Sequence, residues 1–514
     1  MQELAEGSEM QNVLVLGGGT AGFVSALTLK KRLPPGIKVQ VLYSSRIGTI
    51  GVGEGSLRQL PGFLHGYLGI DPDRFFREVE PTWKLGIRFK WGAGAGFDYS
   101  FTPQVCVTHP HSDLIRPLGF YCFDGMTNHS VASVLMDNDY AFLKDDSGKP
   151  VMEGNFGYHM DNHKLATFLE KYALEQQIEL IDDEVRAVEA GECGIQTLTL
   201  ASGRKVTADL FVDCSGFRSL LLGDTLQEPF VSYRSSLFCD RAVIGGWART
   251  DEPLHPYTTS ETMDCGWCWQ IEHENRINRG YVYSSDFISD DAAEAEFRIA
   301  NPEIESTNLV RFRSGRFERA WTRNVVAIGN SAGFVEPLEA TAIAAICSAA
   351  RLLAETLAQV GSCHVGASNR DVFNRYNARS WDTIADFLAV HYRFNTRLNN
   401  EFWSTCVNEV DLRGAAPIVE YYRDNGPCNR WQLLLEDPVC RFRLDGYYTL
   451  LLGQKVPHAQ IDVPAQRERD AFARLQEATC QYGARGVSVR EALRLIGRGD
   501  WRWKPEHFGT NAGL

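Results

Sequence analysis

The sequence predicts an α/β fold built on a parallel, Rossmann-type dinucleotide-binding sheet, and three observations carry that prediction. The apolar run Val13-Leu14-Val15-Leu16 leads through Gly17-Gly18-Gly19-Thr20-Ala21-Gly22 into a segment of helical character over 23–31. A second apolar run, Val39 to Leu42, completes a strand–helix–strand unit. Two later apolar strands also end in glycine turns, one at Asp213-Cys214-Ser215-Gly216 and one at Gly329-Asn330.

Each element has a physical reason. Gly17 permits the tight turn, Gly19 lets backbone approach a pyrophosphate, and Gly22 lets the helix pack on the strand. Thr20 and Ala21 open the helix, whose free N–H groups face the anion. The acid expected at the end of the second strand is absent. Tyr43 and Ser44 stand there, so ribose contact is assigned to Ser44 or to backbone. Strands near 13, 40, 209 and 325 are expected to share one sheet. Turns at Asp213–Gly216 and Gly329–Asn330 suit a ribityl chain and isoalloxazine, so the three turns together point to FAD rather than a nicotinamide.

The expected architecture is a glutathione-reductase-like, flavin-monooxygenase arrangement. An FAD-binding module over 1–360 carries an inserted β-rich substrate layer around 85–150 and 230–300. Residues 361–514 are expected to be mostly helical and to cover the substrate side. Residues 84–91 alternate and read as one strand, with Lys84, Arg88 and Lys90 on its polar side. Residues 161–177 read as a helix and 267–285 as a hairpin. A long helix is expected from Pro337 to Leu357, with Glu339 in its first turn.

At 514 residues the chain is too long for one core. Its net charge of −13, spread without long runs, argues against nucleic acid or an anionic membrane as partner. No apolar stretch reaches the roughly 18 residues of a membrane span, and the start does not read as a signal peptide. Thirteen cysteines, mostly in apolar surroundings, fit buried free thiols in a reducing cytoplasm. Cys265 and Cys268 have C-x-x-C spacing, but on a strand they face opposite ways, so no metal site is expected. His109-Pro110-His111 reads as loop.

Several segments together resemble the flavin-dependent tryptophan halogenases and their halogenase-like relatives. Gly17 to Gly22 is similar to the family's opening turn. Thr49-Ile50-Gly51-Val52-Gly53-Glu54-Gly55-Ser56 is similar to its flavin strap, and Trp83 to Phe89 to the strand bearing its lysine. Asp209 to Leu221, Trp267-Cys268-Trp269-Gln270-Ile271-Glu272 and Gly333 to Thr341 match three further motifs; His391-Tyr392 with Phe402-Trp403 fits the family's C-terminal helices. The resemblance spans roughly 12–455. It departs at Glu272, where the family has proline, and at Ala340 and Ala342, where tryptophan-specific members have serine and glycine.

The resemblance implies FAD, supplied as FADH2 by a separate flavin reductase, held by the strap residues Ile50, Gly51, Val52, Gly53 and Glu54 and by Val185 and Ile343. It admits a homodimer. Reduced flavin and oxygen give a C4a-hydroperoxide; halide, chloride or bromide, attacks it to give hypohalous acid, which reaches Lys84. An indole-type aromatic substrate is halogenated there, with Glu339 steadying the cation or taking its proton. Thr341 and Ala342 are the implied halide site, and Trp267 and Trp269 the wall between flavin and substrate. By pattern alone Lys84 reads as a solvated lysine like Arg88, and the resemblance reverses that reading. The alternative is an FAD monooxygenase hydroxylating an aromatic substrate.

Overall fold

The computed structural model describes residues 10–48, 53–103, 116–122, 129–146, 149–152, 154–360, 365–435, 439, 441–459, 464–498 and 501–508. Ile50, Gly51, Val52 and the segment 109–111 lie outside the described residues.

Six strands form the central sheet, in the order Glu179–Asp182, Lys38–Tyr43, Asn12–Leu16, Leu210–Asp213, Val325–Ala327, Trp321–Thr322. The first five run parallel and the last antiparallel. The four strands expected to share a sheet lie side by side at its centre. Their side chains, among them Val13, Val15, Val41, Phe211, Val212 and Val326, are fully buried, as in a parallel sheet covered on both faces. Helix Thr20–Arg32 packs on Asn162–Glu175 and Ala342–Val360.

A second, seven-stranded sheet runs in the order Thr307–Arg311, Arg241–Ala248, Arg276–Tyr283, Gly266–Glu272, Thr258–Met263, Gly86–Lys90, Phe97–Ser100. Gly266–Glu272 and Arg276–Tyr283 are the expected hairpin, paired antiparallel. Alternation sorts its side chains. Trp267, Trp269 and Ile271 face a core shared with helices Ala367–Phe394, Glu401–Glu409 and Leu444–Gly453. Cys268, Tyr281 and Tyr283 face helix Asp290–Ala300 on the other side.

Residues 84–91 do not form one strand. Thr82–Lys84 pairs with Gly157–Met160, which also pairs with Glu54–Gly55, in a small three-stranded sheet. The chain then crosses to the seven-stranded sheet at Gly86. Leu85 is the crossing point: its N–H donates to Pro256 O at 2.7 Å and its carbonyl accepts from Phe101 N at 2.8 Å. Side-chain alternation continues across the crossing, which is why the sequence reads as one element.

The long helix begins at Ala342, not Pro337. Pro337–Glu339 is a 3-10 turn, and Ala340 follows with φ +53°, a left-handed conformation that stops a helix from propagating. By length and composition the 19-residue helix Ala342–Val360 is apolar enough to cross a membrane, contrary to the sequence reading. Its Leu353, Ala354 and Leu357 are buried in the main core, and it carries an Arg351–Glu355 ion pair. The chain's end threads back: Gly486–Ser488 pairs with Tyr140–Lys144, and Trp503 stacks on Phe76.

Candidate active site

The three glycine turns, far apart in sequence, meet. Gly17 has φ +128°, and a Cβ there would lie 2.2 Å from Cys214 O in the second turn. A Cβ at Gly22 would lie 1.9 Å from Gly17 O, so this glycine is what lets the helix close on its own turn. Ser331 Oγ donates to Gly216 O at 3.2 Å, Ser219 Oγ to Ser331 O at 2.8 Å, and Gly329 abuts Ala21. Space stays open above Gly19 and Gly216, where a Cβ would touch nothing. This is a cradle of the shape a dinucleotide requires: backbone-tight underneath, clear above, with the N-terminus of Thr20–Arg32 facing it.

Asp213 is hydrogen-bonded within its own turn. Its Oδ1 accepts from Ser215 N and Oγ, its Oδ2 from Leu221 N and Leu222 N at 2.8 and 3.0 Å. It builds the turn that presents Gly216. Tyr43 turns away to donate to Glu170 at 2.5 Å, and its ring lies beneath Gly18. Ser44, half-buried, accepts from Arg46 N. Val185 is half-buried at the start of strand Val185–Gly191. Ile343 buries its side chain in the core. Asn330 borders a cavity of about 280 Å³ lined by Phe217, Phe312 and Phe334. Glu54 is half-buried, accepts from Asn162 Nδ2 at 2.8 Å, and is pushed up to about 7 by desolvation. Next to it, a Cβ on Gly53 would collide with His273 and Asn278.

Lys84 is fully buried rather than solvated, and among the described residues its Nζ has no hydrogen-bond partner. Burial pushes it down to about 7, partly opposed by Glu339. A Cβ on Gly55 would come within 3.1 Å of Nζ, so the end of the strap segment runs directly against the amine. Glu339 is buried too, and burial raises its pKa; hydrogen bonding by His391 and the nearby charges of His391 and Lys84 oppose the rise. His391 Nε2 lies 2.8 Å from Glu339 Oε1. Thr341 O accepts from Ala345 N at 2.9 Å, so Thr341 caps the long helix and the amides after it point out of its N-terminus.

Trp267 donates from Nε1 to Glu336 Oε2 at 2.6 Å, and Tyr392 OH donates to the same oxygen. Burial pushes Glu336 up to about 7. Trp269 lies across Gly280, where any side chain would strike its ring. Two successive residues near the end of helix Ala367–Phe394, His391 and Tyr392, thus hold two glutamates three apart, Glu339 and Glu336. Of these four, the sequence marks only Glu339 as a site residue; the matching E-x-x-E spacing is the signal that points to Glu336, His391 and Tyr392. Glu272 is not exposed at a strand end: it forms an ion pair with Arg249, both fully buried, and accepts from Gln270. The aromatic pairs Phe97/Tyr99 and Tyr447/Tyr448 pack among Phe89, Phe387 and Cys428. Among the described residues no His, Cys, Asp and Glu cluster has metal-binding geometry.

The fold and site define a flavin-type dinucleotide enzyme that also carries a buried lysine and a buried carboxyl. A family model described as tryptophan halogenase matches residues 12–468. The chain is 35% identical to the tryptophan 7-halogenase KtzQ of Kutzneria sp. (strain 744), over 82% of this chain and 83% of that protein. Its structure resembles that of MibH, a lanthipeptide tryptophan 5-halogenase, with TM-score 0.87 and 36% identity over 97% of this chain and 95% of that one. It also resembles BrvH, a flavin-dependent halogenase from Brevundimonas sp. BAL3, with TM-score 0.81 and 26% identity over 95% and 99%. The chain belongs to the tryptophan halogenase family and is a flavin-dependent halogenating enzyme.

Proposed function

We propose that this enzyme halogenates the indole ring of tryptophan, using FADH2 from a separate reductase, oxygen, and chloride or bromide. The observation that carries the reading is Lys84: a fully buried amine with no hydrogen-bond partner among the described residues, near the carboxyl of Glu339. A desolvated ammonium without an acceptor is costly, so burial favours the free amine. That amine takes an oxidised halogen onto nitrogen or passes it to the ring. Glu339 then removes the ring proton.

Reduced flavin, when bound, supplies with oxygen and halide the electrophilic halogen. Gly17, Gly19, Thr20, Ala21 and Gly22 hold its pyrophosphate end, with Gly216, Gly329 and Asn330 on the ribityl side. Thr341 and Ala342 offer the halide the amides of a helix N-terminus. Trp267, fixed by Glu336, and Trp269 separate flavin from substrate.

The test is a reaction with photoreduced FAD, oxygen and bromide on free tryptophan, indole and a tryptophan-bearing peptide, read by mass spectrometry. Brominated indole is expected. Hydroxylated product without halogen identifies a monooxygenase instead.

A further inference from the structure

The contact between Glu339 and His391 has a consequence for where the ring proton ends. His391 is fully buried, packed against the rings of Phe89, Trp91 and Phe387. Its Nδ1 lies 3.1 Å from Phe387 O. A carbonyl oxygen only accepts, so Nδ1 carries a hydrogen and donates it. That fixes the tautomer, and Nε2 faces Glu339 Oε1 at 2.8 Å. A bond of that length between a carboxyl oxygen and Nε2 holds one proton: carboxylate with imidazolium, or carboxylic acid with neutral imidazole. Both forms have zero net charge, which suits a site from which water is excluded. The contact to His391 uses Glu339 Oε1 and not Oε2.

A neutral carboxylic acid is a poor base by itself. With His391 behind it the same group removes a proton without building up charge. We infer that His391, acting through Glu339, is the final acceptor of the proton lost from the substrate ring. The inference rests on the reading of Glu339 given above. In the step, Glu339 Oε2 forms an O–H bond to the proton on the halogenated ring carbon as the C–H electron pair returns to the ring and restores aromaticity. At the same time the Oε1–H bond breaks and that proton bonds to the Nε2 lone pair of His391. The positive charge of the ring cation ends on the imidazole, and no other reactant is consumed. His391 is therefore a positioning and proton-holding residue that never touches substrate.

The experiment compares the full-length parent, His391→Gln, His391→Asn and Glu339→Gln, each loaded with reduced FAD, using bromide and tryptophan with or without deuterium on the ring carbons. Gln keeps a donor to Oε1 but accepts no proton. For His391→Gln the expected result is a kcat lower by roughly a hundredfold, the contribution typical of a general base. KM and bromide-dependent flavin reoxidation stay at the parent's values. A primary isotope effect on kcat appears that the parent lacks, because proton removal has become slow. His391→Asn serves the same test if the Gln variant does not fold. Parent-like kcat, or a lowered kcat without an isotope effect, overturns the inference. If Glu339→Gln is inactive while His391→Gln is not, only this inference falls. If Glu339→Gln is itself fully active, the underlying reading of Glu339 falls.

Discussion

At the scale of single residues the account turns on protonation. Lys84 titrates near 7 rather than 10.5 because burial disfavours its charged form. The amine fraction therefore rises as pH increases through 7. Halogenation rate at saturating substrate is expected to climb from about pH 6 to about pH 8 and then level off; a rate that falls over that range means the lysine works as an ammonium donor. Glu336 gives a stability signature of the opposite sign. Its folded pKa, about 7, lies above the ordinary 4.5. Its contribution is fully present below 4.5 and is lost as pH rises through 7. Glu336→Gln, which keeps polar contacts to Trp267 and Tyr392 without titrating, should gain in urea midpoint relative to the parent across that window and stop gaining above it. A pH-independent gap between the two proteins contradicts this. The motif residues Lys84 and Glu339 were legible in the sequence, but their burial was not. A lysine in an alternating run counts as polar, and only the crossing at Leu85 takes it out of solvent.

At the scale of elements, the structure rests on buried polar joints that local pattern does not announce. Glu272 ends one strand of the seven-stranded sheet and meets Arg249 just past the end of another, with neither side chain exposed. Glu272→Ala leaves the Arg249 guanidinium buried without its charge partner and should cost roughly 3–5 kcal/mol in urea unfolding; Glu272→Gln, which still accepts a hydrogen bond, should cost less. Equal losses for the two would contradict a charge-pair role. The helix boundary is a related case. Pro337 is a good first-turn residue, yet the left-handed Ala340 delays the helix to Ala342. That delay separates Glu339, which turns to His391, from Thr341, which caps the helix. Propensity identified the elements, and the backbone turn between them decided which side chain faces what.

At the scale of the molecule, the central sheet was the most legible part, because each glycine in its turns answers a strict local demand. Gly17 and Gly22 admit no side chain at all, and apolar runs without alternation mark strands covered on both faces. The cross-sheet partnerships were not legible: Gly86–Lys90 lies parallel beside Thr258–Met263, some 170 residues on, and periodicity carries no information about such pairing. The position of the long helix Ala367–Phe394 is the other long-range fact, and it alone brings His391 and Tyr392 onto the two glutamates. The central claim, that halogen is transferred at Lys84 and not at the flavin, is tested most directly by Lys84→Ala in the presence of reduced FAD, oxygen, bromide and tryptophan. Flavin should stay bound and reoxidise at the parent rate while brominated product disappears; brominated tryptophan formed at the parent's rate would contradict the account.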